Sequence, residues 1–364
     1  MADGGSLWVA GTMSGTSLDG VDAAMVLTDG IRVLEFGRTG YRPYSPAERE
    51  ILRSALGHED GSEIDAAASL VETAHVELLS GFDEAELVGF HGQTTFHLPD
   101  AGRTRQIGDG RSLARALGVP VAWDFRSDDM RHGGQGAPLV PFYHFALARM
   151  LGISEPVVFL NIGGVANLTW LDPTREAPEA PGACLAFDTG PGNAPINDLC
   201  QTRLNVPLDQ DGRLTSAGCV DTGILNRLLA HREYVSRTPP KSLDRNAFSD
   251  WLPEVEMCSP EDAAATLAAG VAQAIAAGLT HCPTVPTRVL VSGGGRKNSG
   301  LMALIAEALD CPVMPVEKAG MDGDMLEAQA FAYLAARVRS RLPTSAPGTT
   351  GAAKPVSGGI ISEP

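Results

Sequence analysis

Two stretches of this 364-residue chain repeat one pattern, and the repeat constrains the fold more than any other feature. "WVAGTMSGTSLDGVDAAMVL" (Trp8 to Leu27) sets a glycine-, threonine- and aspartate-rich turn between two apolar stretches, and "PVVFLNIGGVANLTWL" (Pro156 to Leu171) does the same around Gly163-Gly164. Short apolar runs bounded by glycine read as buried strands. Ser6 to Ala10, Ala23 to Leu27 and Ile31 to Phe36 make three strands in the first copy, the last two joined by a tight hairpin at "TDG" (Thr28 to Gly30). An antiparallel opening excludes the βαβ start of a dinucleotide-binding fold. In the second copy "CLAFDTGPGNAPIND" adds a strand that ends in a glycine turn at Asp188. Two halves that open alike predict a duplicated α/β unit.

The remaining pattern fits alternating helices and strands. Helical periodicity covers Pro46 to Leu56 and Glu63 to Leu79, followed by strand-like "ELVGFHGQ", "TRQIG" and "VPVAWDF". Ser259-Pro260-Glu261-Asp262 caps a helix from Glu261 to Leu279, "TRVLVSGGGRKN" is a strand running into a glycine turn, and Met325 to Leu342 is a strong helix. "LDPTREAPEAPGAC" (Leu171 to Cys184) is long and proline-rich and reads as an exposed hairpin end, and residues 343–364 have the composition of a flexible tail.

Length allows two domains or one large α/β unit. The 44% hydrophobic content, 5% aromatics and 41 glycines suit an α/β enzyme. A net charge of -16 argues against a broad basic face for nucleic acid, while leaving room for a local basic pocket for phosphate. The start has neither the basic nor the apolar region of a signal peptide, and no apolar run approaches the roughly 20 residues that span a bilayer, so a cytoplasmic protein is expected. Cys184, Cys200, Cys219, Cys258, Cys282 and Cys311 are scattered without CxxC or Cys/His ligand spacing, which predicts neither a zinc site nor a disulfide framework.

Glycine turns after strands let backbone N–H groups approach an anion. Gly11 to Gly20, Gly163-Gly164 and Gly293 to Gly295 qualify, and none is a Walker loop or GxGxxG. Without a P-loop lysine, acidic residues beside the first turn would hold Mg²⁺, and Asp19 and Asp22 are the candidates. Each turn taken alone is also explained by chain reversal, Asp19 by turn or helix capping and Asp22 by a strand edge.

"GTMSGTSLDGVD" (Gly11 to Asp22), "HGQT" (His91 to Thr94), "DFR" (Asp124 to Arg126), "GGQGAPLVP" (Gly133 to Pro141), "NIGGVANLT" (Asn161 to Thr169), "FDTGPGN" (Phe187 to Asn193), "SGGGRKN" (Ser292 to Asn298) and "LEAQAFA" (Leu326 to Ala332) occur in this order over almost the whole chain. In them the chain resembles the anhydro-N-acetylmuramic acid kinases. The resemblance implies the actin/Hsp70/sugar-kinase fold, α/β, with two RNase H-like domains and ATP in the cleft between them. The expected division is residues 1–130, joined by 325–364, and residues 131–324, and the resemblance implies that "GTTGAAKPVSGG" near the C-terminus packs back on the body despite its composition.

It further implies an ATP- and Mg²⁺-dependent reaction in which O6 of 1,6-anhydro-N-acetylmuramic acid is phosphorylated while water opens the anhydro ring, in the recycling of peptidoglycan. Glycoside hydrolysis needs one carboxylate to activate water and one to protonate the leaving oxygen. Where the γ-phosphorus captures O6, one base suffices, and Asp188 in "FDTGPGN" matches the family's base; capping the turn is its alternative role. Gly15, Thr16, Ser17, Leu18, Asp19, Gly20, Val21 and Asp22 are expected around the phosphates, with Gly163 and Gly164 closing on them. Gly293, Gly294, Gly295 and Asn298 are expected under the nucleoside. His91, Thr94 or Thr95, Arg126 and Glu327 are carried over to the sugar, Arg126 as a fork for the lactyl carboxylate. A buried salt bridge for Arg126, a helix N-terminal charge for Glu327 and a satisfied core histidine for His91 are the bland alternatives.

The family's "PPKSTGR"-like stretch is here "PPKSLDR" (Pro239 to Arg245), which brings into question any backbone contact at the replaced threonine-glycine. The partners expected are the sugar and ATP, without nucleic acid or membrane, and a homodimer stays open. A kinase for a smaller anhydrosugar such as levoglucosan, and a non-catalytic nucleotide-switched binding protein of the same fold, are the rival readings.

Overall fold

The computed structural model describes the chain except residues 1–4, 231–232, 244 and 246. The chain forms two compact units, one of residues 1–152, 176–183 and 325–364, the other of residues 153–175 and 184–324.

The first unit is built on β1 (Leu7–Ser14), β2 (Gly20–Thr28), β3 (Val33–Pro43), β4 (Leu87–Leu98), β5 (Arg103–Ile107), β6 (Val121–Trp123) and, from the chain's end, β12 (Ile360–Ser362). The sheet order is β12-β6-β4-β1-β2-β3, with β5 paired to β4. The first three strands are an antiparallel meander; β4 then joins β1 in parallel, and β6 joins β4 in parallel. The second unit contains β7 (Val157–Ile162), β8 (Val165–Leu171), β9 (Cys184–Pro191), β10 (Val289–Ser292) and β11 (Val313–Pro315), ordered β11-β10-β7-β8-β9. Again three strands meander, and the next two add in parallel beside the first. The five strands β6-β4-β1-β2-β3 correspond in order to β11-β10-β7-β8-β9, with β5 and β12 added in the first unit, so the duplication is one of RNase H-like topology.

Local chemistry starts and stops the elements. Ser45 forms a full capping box with Glu48 at the Pro46–Ala55 helix, and Ser259 accepts the Asp262 N–H at the Pro260–Leu279 helix. The Ser62–Leu79 helix presents Ile64, Ala67, Val71 and Ala74 to a core shared with Val21, Ala23 and Met25 of β2 and Phe90 of β4. In the second unit the Pro260–Leu279 helix is buried among β7 and β8 residues, including Leu160, Leu168 and Trp170. That helix corrects one expectation, because it is long and apolar enough to cross a membrane by length and composition. Most of it is buried within the unit, which accounts for its apolar character without a bilayer.

Other sequence expectations are also corrected. β1 runs on to Ser14, so Gly11 and Thr12 lie inside a strand and only residues 15–19 turn. β9 runs past Asp188 to Pro191, with its register to β8 shifting beside Asp188, so the aspartate stands within a strand and not at its end. The first unit continues to Gly152, beyond residue 130, because the Pro141–Met150 helix packs on the Leu326–Arg339 helix. There the buried Tyr143 hydroxyl donates to Gln329 Oε1 at 2.8 Å. The loop after β8 is a hairpin end, closing the antiparallel β8–β9 pair at Leu171 and Cys184, but it is only partly exposed. Its residues 176–183 belong to the first unit, where Glu179 pairs at 2.8 Å with the guanidinium of Arg337, whose side chain is 2% exposed.

The tail packs back on the body, as the resemblance implies and against its composition. Thr344, Ser345, Thr349, Thr350 and Val356 are buried, and β12 pairs antiparallel with β6. Asp129, itself 1% exposed, accepts hydrogen bonds from the hydroxyls of Ser345 and Thr350 and from the N–H of Gly136. Asp129→Ala strands three donors, each costing roughly 1–3 kcal/mol when buried unpaired. We expect a non-specific protease to clip residues 343–364 of this variant under native conditions while the wild-type tail resists; equal cleavage of both would count against the Asp129 anchor.

Candidate active site

Parallel strands place their following turns at one edge of a sheet, where open α/β sheets bind ligands. In the first unit β1 delivers residues 15–19 there. Leu18, buried, adopts a left-handed conformation (φ 57°) and donates its N–H to Gly15 O at 3.1 Å, while Thr16, Ser17 and Asp19 are exposed. The Asp19 carbonyl, not its carboxylate, fixes the turn by accepting the Tyr44 N–H at 2.9 Å and the Tyr41 hydroxyl at 3.0 Å. Behind the turn the Ser14 hydroxyl donates to Gln93 Oε1 at 2.6 Å and lies 3.1 Å from the Tyr44 hydroxyl. Asp22 is half-buried in β2, opposite Met13 and Tyr41. Among the described residues no three His, Cys, Asp or Glu side chains converge as a metal cluster.

His91 and Arg126 come together from β4 and from the segment after β6. The His91 ring donates from Nδ1 to Gly92 O at 2.8 Å, so Nε2 accepts from Arg126 Nε at 3.1 Å and Nη2 at 2.9 Å. Burial, reinforced by the Arg126 charge, holds the His91 pKa well below the usual imidazole range, which keeps the ring neutral and an acceptor. Both ring nitrogens of His91 are engaged, one of them by the Arg126 guanidinium. Arg126 also donates from Nη1 to Gly136 O at 2.6 Å, so three of its five N–H donors are committed and two remain. Glu327, in the first turn of the Leu326–Arg339 helix, is held above the usual carboxylate range by burial, with Arg126 pulling the other way. The Thr94 hydroxyl accepts from Gln106 Nε2 at 3.2 Å, whereas the buried Thr95 hydroxyl has no hydrogen-bond partner among the described residues.

The second unit assembles its glycine turns around Asn193. Its N–H donates to Gly163 O at 2.7 Å, the Gly192 N–H donates to Gly164 O at 2.9 Å, and the Asn193 amide reaches Ile162 O at 3.4 Å. The "GPGN" end of the sixth motif thus closes the β7–β8 turn. After β10, Gly293 takes φ 74°, and a Cβ there would overlap the Asn161 side chain, so this position requires glycine for both conformation and space. A Cβ on Gly295 would overlap the Ile162 side chain, whereas one on Gly294 would meet only the Asn193 amide, at 3.5 Å. Asn298 is committed elsewhere: it is 7% exposed, caps the Ser299–Ala308 helix by accepting the Leu301 N–H at 2.9 Å, and donates to Asp209 and Thr215. Its side chain is thus taken up by contacts within the unit.

Asp188 is held by the stretch the sequence marked as a departure. Its Oδ2 accepts the Leu243 N–H at 2.8 Å, its own N–H donates to Lys241 O at 3.1 Å, and its carbonyl accepts the Tyr234 hydroxyl at 3.0 Å. The backbone contact at the replaced threonine therefore persists with leucine; Asp244, at the replaced glycine, lies outside the described residues. Burial raises the Asp188 pKa to about 6, against the Leu243 N–H and the Lys241 charge, which lower it. Such a carboxylate is ionised at neutral pH yet basic enough to take a proton from water. Lys241, Tyr234 and Asn193 were not singled out in the sequence. Asn193 closes "FDTGPGN" and Lys241 stands in "PPKSLDR", whereas Tyr234 lay in no marked motif.

A family model for anhydro-N-acetylmuramic acid kinase matches residues 7–364. The chain is 60% identical to the anhydro-N-acetylmuramic acid kinase of Cereibacter sphaeroides, over 100% of this chain and 98% of that one. It is 56% identical to the protein of that name from Ruegeria sp., over 99% and 96% of the two chains, and 47% identical to that from Rhodospirillum rubrum, over 98% and 94%.

Proposed function

The chain belongs to the anhydro-N-acetylmuramic acid kinase family, and on that premise we propose how its residues divide the reaction. It transfers the γ-phosphoryl group of ATP to O6 of 1,6-anhydro-N-acetylmuramic acid, adds water across the C1–O6 bond, and releases N-acetylmuramic acid 6-phosphate and ADP. Asp188 takes a proton from the water that attacks C1; as the C1–O6 bond breaks, O6 takes the phosphorus in place of a proton. A second carboxylate acting as acid is thereby unnecessary. The observation that carries this reading is the half-buried Asp188, raised to about 6, with one carboxylate oxygen fixed by the Leu243 N–H.

Gly15 to Asp22 line the phosphates, as do Gly163 and Gly164, with the N–H groups of Leu18 and Gly163 engaged within their own turns, and Gly294 is the open position of its turn for the nucleoside. Asp19 and Asp22 would hold Mg²⁺, which when bound neutralises charge on the phosphates. Arg126, steadied by His91, presents its two uncommitted donors to the lactyl carboxylate, and Glu327 and the Thr95 hydroxyl bind sugar polar groups. The substrate's origin as a wall fragment places the enzyme in peptidoglycan recycling, in the cytoplasm.

A coupled ADP-release assay tests the assignment. Turnover should require both anhydromuramic acid and Mg²⁺, and levoglucosan, lacking the lactyl and N-acetyl arms, should react at least about 10-fold less efficiently because a site built to bind polar groups leaves them unpaired. Equal efficiency on levoglucosan would reassign the substrate. ADP release without sugar would favour a nucleotide-switched binding protein.

A further inference from the structure

Lys241 is a buried cation with an unusual set of partners. It is 2% exposed, and its ammonium donates to two backbone carbonyls, Tyr234 O at 3.1 Å and Val235 O at 3.0 Å. The same nitrogen lies 4.9 Å from the centre of the Tyr234 ring and 5.5 Å from that of Phe187, the residue preceding Asp188. Burying an ammonium is costly unless it is well satisfied, and an aliphatic side chain would fill the slot at less expense.

The contacts form a closed circuit. Lys241 ties its own segment to residues 234–235, the Tyr234 hydroxyl returns to the Asp188 carbonyl, and Lys241 O receives the Asp188 N–H. Two residues beyond Lys241, the Leu243 N–H reaches Asp188 Oδ2. Every fixed polar contact of Asp188 with this segment therefore depends on where Lys241 holds it. We propose that Lys241 is a positioning residue for Asp188, its ammonium clasping the 239–243 segment to residues 234–235 so that the Leu243 N–H secures one carboxylate oxygen and leaves the other to face the attacking water.

This rests on the reading of Asp188 as the base. The ionisable groups around the pair are Tyr234, Arg237, which opposes the charge on Lys241, and His281, edge-on to Phe187 at 6.0 Å. Loss of the Leu243 hydrogen bond and loss of the lysine charge both raise the Asp188 pKa, so the acid limb of kcat must move to higher pH.

The test measures kcat, both KM values and the pH dependence of kcat for wild type, Asp188→Asn, Lys241→Met and Tyr234→Phe. Methionine keeps an unbranched stem over the two rings without the ammonium, and phenylalanine removes a single hydroxyl. We expect Lys241→Met to lose at least about 10-fold in kcat with both KM values within about threefold, and its acid limb to shift upward by half a pH unit or more. Tyr234→Phe should shift the limb in the same direction by less, and carries the test if Lys241→Met does not fold. An acid limb that disappears in Asp188→Asn but stays in place in the folded Lys241 and Tyr234 variants overturns the clasp and leaves the base intact. A limb that persists in Asp188→Asn overturns the base assignment, and the clasp with it.

Discussion

Asp188→Asn should lower kcat by roughly 10²-fold or more while leaving the sugar KM within about threefold, because asparagine keeps the side chain's size and its acceptor for Leu243 but cannot take a proton. Its effect on stability separates this loss from unfolding. Burial holds the folded pKa at about 6, above that of an exposed aspartate, so the folded state binds this proton more tightly than the unfolded chain. The charge therefore costs stability above pH 6, and the cost is relieved as pH falls from about 6 to about 4. A neutral asparagine should melt no lower than wild type at pH 7. In wild type kcat should fall as pH drops through about 6, where the base is protonated. Reaction in ¹⁸O-water should place the label on the anomeric hydroxyl and none in the sugar phosphate, since water attacks carbon and O6 attacks phosphorus. Label in the phosphate ester, or normal turnover by the asparagine variant, would overturn the single-base mechanism.

The sequence showed the strands of both meanders because period-two apolar runs and glycine punctuation are local signals. It under-read their lengths where burial is polar. Thr12, Ser14 and Gln93 are buried by hydrogen bonds to partners up to 79 residues away, and no window of neighbouring residues records that. Composition alone misleads about the tail for the same reason, since its threonines, serines and glycines look solvated until Asp129, 216 residues from Ser345, supplies an acceptor. Glu179 looked like a loop tip because its partner Arg337 lies 158 residues on.

Within the candidate site, residue types were legible and roles were not. The aspartate in "FDTGPGN" was visible, but the role of Lys241 was not, since its partners are backbone carbonyls that any residue type supplies. His91 was visible as a histidine; its use as an acceptor for Arg126 depends on a strand pairing that places residues 91 and 126 together. The "PPKSLDR" departure looked threatening because letters were compared, whereas Asp188 receives a backbone N–H that leucine supplies as well as threonine.

Gly11→Ala and Gly89→Ala should each destabilise the protein by roughly 3 kcal/mol or more, a large fraction of a domain's stability. The first motif suggested that Gly11 serves a phosphate turn, yet it lies within β1, paired in parallel register with Gly89 of β4. A Cβ on Gly11 would overlap the backbone of Ala328 and Ala332, and one on Gly89 the carbonyl of Phe331. The obstruction is helix backbone on both counts, which no rotamer change relieves, so the Leu326–Arg339 helix must lift off the sheet. That helix carries Glu327 in its first turn, and its displacement moves the carboxylate relative to Arg126. Because both substitutions push the same helix, lifting it once accommodates part of the second, and the double variant should lose less than the sum of the two. Urea melts of the three variants, read with the sugar KM of any that fold, check this. Single variants that melt like wild type would mean that the helix yields freely, and a double variant with strictly additive loss would mean that the two glycines seat it independently.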